Sequence, residues 1–235
     1  MKMLFAVLVL SLTPHPTRLI AREVVFPVGS EQLRGHLAAP EGAGPFPAVI
    51  YLHGGRGPLI GGNPKATAEA LAKSGFIGFS PLRGKNSSLV RNVQEVTAAI
   101  NYVKNLDSVD QQHLAIVGFS RGGLLAFMAS TRRRDLDAVV LMAPAHGRGT
   151  LHHFLSDVDS VTARTLILVA KNDTKQVDHV RISRQVGTAL KNAGKDSRLL
   201  VYPSYGRDGH QLFFEVRRAY WKDIENFLRT ALDAD

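Results

Sequence analysis

The pentapeptide Gly118-Phe119-Ser120-Arg121-Gly122 has the spacing G-x-S-x-G, with a glycine two positions to each side of a serine. This spacing suits a nucleophile on a sharp turn between a strand and a helix, because a Cβ at either glycine would collide with neighbouring backbone. An apolar strand is predicted at 114–117, directly before the motif, and a helix of small residues at 122–128 directly after it. The alternative is that Ser120 only caps that helix.

A serine hydroxyl becomes a good nucleophile when a base lies beside it and a carboxylate orients the base. Both residue types follow Ser120, in the chain order serine, acid, histidine. Asp173 comes after a predicted strand at 165–170, and His210 comes after the last predicted strand, at 198–202. Because the carboxyl ends of parallel strands meet at one edge of a sheet, the three side chains are expected to converge there. The pattern predicts nucleophilic catalysis by Ser120, Asp173 and His210.

Other acids and histidines compete for these roles. Asp178 is the main competitor for the acid, and Asp208 is too near His210 in the sequence to be preferred. Two further histidines are adjacent in sequence, so they point apart on a strand or a helix and do not form a metal pair. No metal site and no cofactor are therefore predicted. The histidines that follow Ser120 but not the last strand are His146, His152, His153 and His179.

Acyl transfer also requires hydrogen-bond donors for the oxyanion that forms on the attacked carbonyl. One donor is expected to be the backbone N–H of Arg121, the residue after the nucleophile. A second is expected from the loop after a predicted strand at 48–52, which reads His53-Gly54-Gly55-Arg56-Gly57. Glycines let that backbone approach a substrate closely, and the N–H of Gly55 is the predicted second donor.

These residues need a scaffold, and the sequence predicts alternating strands and helices around a mostly parallel sheet. The helix at 89–106 has the clearest pattern, because its apolar residues recur at steps of four and three. Residues 143–162 form a short polar segment, too small for a separate cap domain. The predicted strands are 23–28, 33–38, 48–52, 76–79, 114–117, 138–142, 165–170 and 198–202, and the helices are 64–75, 89–106, 122–128, 177–190 and 212–232.

The N-terminus has the layout of a secretory signal peptide over residues 1–21, followed by a single domain over 22–235. Lys2 precedes an apolar run at 3–12, and two prolines follow that run. The run is shorter than the roughly 20 apolar residues that cross a bilayer, so no stable membrane insertion is expected. We predict a periplasmic or secreted protein cleaved after Ala21. The alternative is a cytoplasmic protein with an apolar tail.

The 235 residues contain 29 Lys and Arg against 20 Asp and Glu, a formal net charge of +9. A nucleic-acid partner is nevertheless not predicted, because the basic residues are dispersed, apart from Arg132-Arg133-Arg134, and no aromatic residues alternate with them for base stacking. The chain has no cysteine, which excludes disulfides, thiolate metal sites and a cysteine nucleophile. The predicted partner is a small-molecule substrate, and the sequence leaves the oligomeric state open.

Together, His53-Gly54-Gly55, the serine pentapeptide, Asp173 and the segment before His210 resemble the α/β-hydrolase superfamily over residues 23–235. Within it, the chain is similar to the dienelactone hydrolase-like group and to the catalytic domains of prolyl oligopeptidase-type enzymes. The resemblance implies an α/β-hydrolase fold: a mostly parallel sheet of about eight strands, helices on both faces and no large cap domain.

By the same resemblance, Ser120 is the nucleophile, Asp173 the orienting acid, and His210 the general base and then the general acid. Dienelactone hydrolases use cysteine where this chain has Ser120, which moves the expectation towards a serine esterase.

The leading prediction is a carboxylic ester hydrolase that cleaves a small ester or lactone through an acyl-enzyme. The alternatives are a prolyl oligopeptidase-type peptidase or acyl-amino-acid hydrolase, and a catalytically inactive α/β-hydrolase that binds a ligand. Four basic residues, Arg56, Arg83, Arg121 and His146, are candidates for a pocket that favours anionic substrates, with solvated rim positions as the alternative.

Overall fold

One eight-stranded sheet organises the computed structural model, which describes residues 19–55, 61–84 and 88–232. Most predicted elements are confirmed, with shifted ends. The strands are β1 (Leu19–Val28), β2 (Glu31–Pro40), β3 (Phe46–Leu52), β4 (Ile77–Pro81), β5 (Val109–Phe119), β6 (Ala138–Met142), β7 (Arg164–Ala170) and β8 (Ser197–Tyr202). The helices are α1 (Pro64–Lys73), α2 (Leu89–Lys104), α3 (Arg121–Ser130), α4 (Thr150–Leu155), α5 (His179–Asn192) and α6 (Arg218–Leu232).

The sheet is mostly parallel, in the strand order β1-β2-β4-β3-β5-β6-β7-β8. Strand β2 runs antiparallel to β1 and β4, and the remaining neighbours are parallel. In this register Leu52 lies opposite Gly118, and Phe119 lies opposite Met142. The carboxyl ends of β3, β5 and β6 therefore lie side by side, at the edge where the sequence predicts the reacting groups.

Helices cover both faces of the sheet. Ile116 packs into an apolar cluster with α2, α3 and α5, whereas the next residue, Val117, packs into a cluster with α1 and α6. Both side chains are fully buried. The central strands are uninterrupted apolar runs because neither face meets solvent.

Strand β1 begins at Leu19, earlier than the predicted start at residue 23. Its first residues pair with the end of β2, with Leu19 opposite Pro40 and Ala21 opposite Ala38. Backbone pairing extends the strand here, since residues 20–23 are exposed and carry no alternating apolar pattern. Residues 1–18 lie outside the described residues, so the signal peptide over 1–21, its cleavage and the export of a 22–235 domain stay predictions.

The predicted final helix over 212–232 is wrong at its start. A 3-10 helix covers Gly209–Phe213, and α6 begins only at Arg218. The Asp208 side chain accepts the His210 N–H at 3.1 Å and caps the short helix. Periodicity missed the break because Phe213 packs into the same apolar cluster as the residues of α6.

The segment between β6 and β7 is short, as predicted. Helix α4 and two 3-10 turns, Gly147–Gly149 and Val158–Ser160, account for most of it. Leu151 and Phe154 of α4 are buried in the core cluster on that face. In the part of the chain that the structure describes, this segment forms no separate cap domain.

Helix α3 approaches β3 very closely at Gly122. A Cβ on Gly122 would lie 1.8 Å from the Leu52 carbonyl oxygen, and one on Gly118 would lie 2.2 Å from the Gly122 carbonyl oxygen. Gly187 in α5 offers a contrast, because the nearest atom to its added Cβ lies 3.6 Å away, on Ile167.

Replacement of Gly122 is therefore expected to damage the fold. Gly122→Ala should lower the free energy of unfolding by about 3 kcal/mol or more, which is the upper end of the cost of adding a methyl group to a packed core. The cost is high because the added Cβ would overlap a backbone oxygen, and the backbone itself must move. The control Gly187→Ala should raise it by up to about 1 kcal/mol, since alanine is the better helix former. Urea unfolding followed by circular dichroism measures both values, and similar small changes in both variants would contradict the close approach.

Candidate active site

Ser120 lies on the turn between β5 and α3, with φ of 52° and ψ of −113°. A side-chain-bearing residue pays about 1–3 kcal/mol for such a backbone conformation. Three backbone hydrogen bonds hold it. The Ser120 N–H donates to the Met142 carbonyl at 2.8 Å, and the Ser120 carbonyl accepts the N–H groups of Ala145 at 2.9 Å and Leu124 at 3.0 Å. The side chain makes no capping hydrogen bond to α3. Ser120 is therefore not the plain helix cap that was the alternative interpretation.

His210 and Asp173 form a buried pair. Nδ1 of His210 lies 2.9 Å from Oδ2 of Asp173, and the two residues are 6% and 1% exposed. Their loops are also joined, since the Gly209 N–H donates to the Asn172 carbonyl at 3.3 Å. A carboxylate beside Nδ1 keeps the proton on that nitrogen and leaves Nε2 with a free lone pair, which is the form a general base needs.

Two aromatic rings pack against the His210 imidazole. The ring of Phe119 lies 4.7 Å from it, and the ring of His179 stacks on it at 4.4 Å with planes 25° apart. Because Phe119 directly precedes Ser120, its contact brings His210 to the strand end that carries the serine. The predicted serine, acid and histidine therefore occupy one region at the carboxyl edge of the sheet.

The two competing carboxylates have other partners. Asp178 caps α5 by accepting the Arg181 N–H at 2.9 Å. Asp208 caps the short 3-10 helix by accepting the backbone N–H of His210 at 3.1 Å. Asp173 is thus the carboxylate that binds the His210 ring, in the position expected of the orienting acid.

His179 is a site residue that the sequence interpretation missed. It begins α5, is 4% exposed, and its Nδ1 lies 3.2 Å from the Pro144 carbonyl oxygen. Burial lowers the pKa of His179, the charge of His210 lowers it further, and the carboxylate of Asp173 acts in the opposite direction. A neutral His179 donates Nδ1–H to Pro144 and packs its face on His210. No local pattern identifies such a residue, because the contact joins distant parts of the chain.

Asp173, His179 and His210 offer potential metal-ligand atoms within 4.8 Å of one another. Two of the candidate atoms already bind each other, namely Nδ1 of His210 and Oδ2 of Asp173. The two imidazoles are stacked, so their lone pairs lie in two separate, nearly parallel planes, which disfavours convergence on one ion. The arrangement fits an acid–base pair with a packed neutral histidine better than a metal centre.

The glycine loop after β3 reaches the serine turn. A Cβ on Gly54 would lie 3.1 Å from the Cβ of Ser120. The Gly54 N–H donates to the Gly61 carbonyl at 2.7 Å, so this donor is already engaged. Gly55 has φ of 54°, in the left-handed region that favours glycine. The N–H groups of Gly55 and Arg121 stay the predicted oxyanion donors.

The basic residues predicted for an anion-binding pocket have different surroundings. The Arg83 guanidinium donates to the carbonyls of the glycine loop, and Nε of Arg121 donates to Oδ1 of Asn92 at 3.0 Å. This corrects the expectation for Arg83, whose charged group faces the protein's own backbone. His146 lines a hollow of about 240 Å³ between α4 and α5. Arg56 lies outside the described residues.

His53 is a buried histidine whose protonation is unfavourable. It is 1% exposed, its Nε2 lies 3.3 Å from the backbone nitrogen of Arg83, and its Nδ1 lies 2.9 Å from Nη2 of Arg83. Nε2 accepts the Arg83 N–H, and Nδ1, which carries the proton of the neutral ring, also lies 3.0 Å from the Gly54 carbonyl oxygen. Burial, and secondly the charge of Arg83, lower the pKa of His53 to about 4.

A mostly parallel eight-stranded sheet, a serine on the turn after a central strand, and an aspartate–histidine pair at the ends of later strands define an α/β-hydrolase. The family model described as the dienelactone hydrolase family matches residues 82–223, more than half of the chain. The chain belongs to the dienelactone hydrolase family and is a hydrolase.

Individual relatives agree with this assignment. A Yersinia pestis protein that carries the name carboxymethylenebutenolidase is 27% identical over 225 residues, which cover 84% of this chain and 80% of the relative. A Klebsiella pneumoniae crystal structure described as a dienelactone hydrolase has a TM-score of 0.73 at 19% identity, over 93% of this chain and 100% of that one. An acylaminoacyl peptidase from Pyrococcus horikoshii has a TM-score of 0.74 at 16% identity, over 92% of this chain but 42% of that one. At such identities the two structures bear on the fold alone, and they confirm the predicted α/β-hydrolase fold.

In the described ranges, no helix has the length and apolar character needed to cross a bilayer.

Mild acid is expected to weaken the fold through His53. Its pKa is about 6.5 in an unfolded chain and about 4 in the fold, so between these values the unfolded state binds more protons. The free energy of unfolding should therefore fall as the pH drops through this window, by up to about 3 kcal/mol from His53. Urea unfolding of the wild type and of His53→Gln at both ends of the window measures the effect.

His53→Gln should lose that part of the pH dependence. His179 acts in the same direction because its pKa is also lowered, and His179→Gln measures its share separately. Equal pH slopes in the wild type and His53→Gln would contradict the role given to His53.

Proposed function

We propose that the protein is a serine hydrolase that cleaves a small ester or lactone through an acyl-enzyme on Ser120. The observation that carries the proposal is the buried His210–Asp173 pair, joined at 2.9 Å and packed on Phe119, the residue before Ser120. A buried carboxylate on Nδ1 prepares an imidazole to act as a base through Nε2. The strained turn at Ser120 supports the same proposal, because it exposes a serine side chain at the edge where that base lies.

In the proposed reaction, Nε2 of His210 takes the Ser120 hydroxyl proton while the serine oxygen attacks the carbonyl carbon. The tetrahedral oxyanion accepts hydrogen bonds from the N–H groups of Gly55 and Arg121. Collapse breaks the bond to the leaving alcohol, which takes the proton from His210. Water then attacks the acyl-enzyme with His210 as the base, and the acid and free Ser120 are released. Asp173 stabilises the imidazolium in each half of the cycle.

A serine nucleophile depends more strongly on a neighbouring base than a cysteine nucleophile does. A cysteine nucleophile can stand as a thiolate near neutral pH, whereas a serine hydroxyl has to lose its proton as it attacks. The rate then depends on the base, and therefore on how His210 is held. Lactones stay in the substrate class because relatives carry the name carboxymethylenebutenolidase.

A peptidase or acyl-amino-acid hydrolase is the second candidate. The same reacting groups would serve amide cleavage. Esters and lactones are preferred because the matching family is the dienelactone hydrolase family and the relatives carry the name carboxymethylenebutenolidase. Turnover of a matched p-nitrophenyl ester, lactone and acyl-peptide series separates the candidates, since a peptidase should favour the acyl-peptide.

Fluorophosphonate labelling tests the nucleophile. The wild type should carry the adduct on Ser120, Ser120→Ala should carry none, and His210→Gln should react about 10²–10⁴-fold more slowly because the base is lost. Ser156, an exposed serine at the end of α4, provides the control, and Ser156→Ala should be labelled like the wild type. The adduct is located by mass spectrometry. A folded wild type that takes no label would instead favour a catalytically inactive, ligand-binding protein.

A pair of aspartate variants tests the orienting acid. Asp173→Asn should lower kcat by about 10⁴, because an amide no longer holds the productive tautomer of His210. Asp178→Asn should keep kcat within a few-fold, since that side chain only caps α5. Steady-state kinetics on a p-nitrophenyl ester gives both values. The assignment of the acid is wrong if the larger loss falls on Asp178→Asn.

A further inference from the structure

Arg83 binds the back of the glycine loop through its guanidinium. The side chain follows β4, and Nη2 lies 2.8 Å from the carbonyl oxygens of both Gly54 and Gly55. Nη1 donates to the carbonyl of His53. Three successive carbonyls of one loop are thus held by a single planar cation.

These contacts determine which way the next N–H groups point. In a trans peptide, the carbonyl of one residue and the N–H of the following residue point in opposite directions. With the Gly54 carbonyl bound to Arg83, the Gly55 N–H is directed away from the guanidinium. The Gly54 N–H already donates to the Gly61 carbonyl at 2.7 Å and is not available to a substrate. The next N–H along the loop is that of Gly55, and none of these hydrogen bonds uses it.

The loop needs such an external contact. Gly54 and Gly55 have no side chains to pack, and Gly55 has φ of 54°. A flexible glycine loop would sample many orientations of its N–H groups, whereas an oxyanion hole works only when its donors are oriented before the reaction.

We propose that Arg83 is a positioning residue of the oxyanion hole, holding the Gly54–Gly55 peptide so that the Gly55 N–H faces the carbonyl attacked by Ser120. The inference rests on the proposed function. It assigns to Arg83 a role distinct from binding an anionic substrate. The guanidinium acts through the loop backbone and does not touch the substrate.

The surroundings of Arg83 suit this role. Burial lowers the pKa of Arg83 to about 10, so the side chain keeps its charge at neutral pH. The nearby charge of Arg121 also lowers this pKa, and the carboxylate of Glu95 raises it. Lysine could not replace the group, because a guanidinium binds the three carbonyls through two separate nitrogens of a rigid fork, whereas lysine offers a single ammonium.

The test compares Arg83→Ala and Arg83→Lys with the wild type on a neutral p-nitrophenyl ester. Loss of an oxyanion donor should lower kcat by about 10²–10³ and leave KM within about threefold, because the ground-state carbonyl makes little use of the donor. Lysine should not restore kcat. Added guanidinium should restore part of the kcat of Arg83→Ala, which a general loss of folding would not allow.

Two further readouts keep the test decisive. The affinity for a boronic acid, which forms a tetrahedral adduct with the serine, should fall in parallel with kcat/KM in both Arg83 variants. Arg164→Ala is the matched control, because Arg164 begins β7, at the amino end of that strand, and pairs at 2.8 Å with the exposed Asp196. It should keep wild-type kcat. Thermal unfolding verifies that each variant is folded, and Arg83→Gln replaces Arg83→Ala if that variant does not fold.

Specific outcomes overturn the inference. A kcat within threefold of the wild type in a folded Arg83 variant does so, and so does a rise in KM alone. A loss confined to esters that carry a carboxylate also overturns it, because Arg83 would then bind substrate directly. Failure of the proposed function is distinguishable, since a wild type without turnover or label on Ser120 rejects that function before any Arg83 variant is compared.

Discussion

The backbone of Ser120 has a φ of 52°, and hydrogen bonds to Met142 and Ala145 hold it there. Such strain persists only where the surrounding fold determines the backbone more strongly than the residue's own preference. The surroundings are the parallel register of β3, β5 and β6 and the glycines that let α3 approach β3, where an added Cβ on Gly122 would lie 1.8 Å from a backbone oxygen. Sheet, glycines and helix thus serve one requirement, to expose a serine side chain on a sharp turn.

Around this turn, buried hydrogen bonds hold polar groups in fixed orientations and leave one ring nitrogen or one backbone N–H available for the reaction. Asp173 binds Nδ1 of His210, and Arg83 binds the carbonyls of the glycine loop. His53 and His179 are kept neutral by burial and by the donors or cations around them. A hydrolase needs such prepared groups, because a donor or base that had to reorient during the reaction would lose much of its effect.

The sequence predicted most strands and helices and the candidate reacting residues, but it placed one helix boundary wrongly. The helix over 89–106 followed from apolar residues at steps of three and four, and β6 was predicted with its observed bounds because its residues form a continuous buried run. Ser120, Asp173 and His210 followed from their order and from their positions after predicted strands. The helix predicted over 212–232 was wrong at its start, because burial of Phe213 in the cluster of α6 conceals the break from any periodic pattern.

The sequence by itself determined the alternation of strands and helices, the serine motif and the order of the reacting residues, since all of these depend on local spacing and on the chain connectivity. Only the tertiary structure decided that His179 stacks on His210, that Asp178 caps α5, and that Arg83 holds the glycine loop. Those contacts join side chains to elements distant in the sequence, and local periodicity contains no information about them. They arise when the sheet forms and its loops meet at one edge, where burial and hydrogen bonding select each partner.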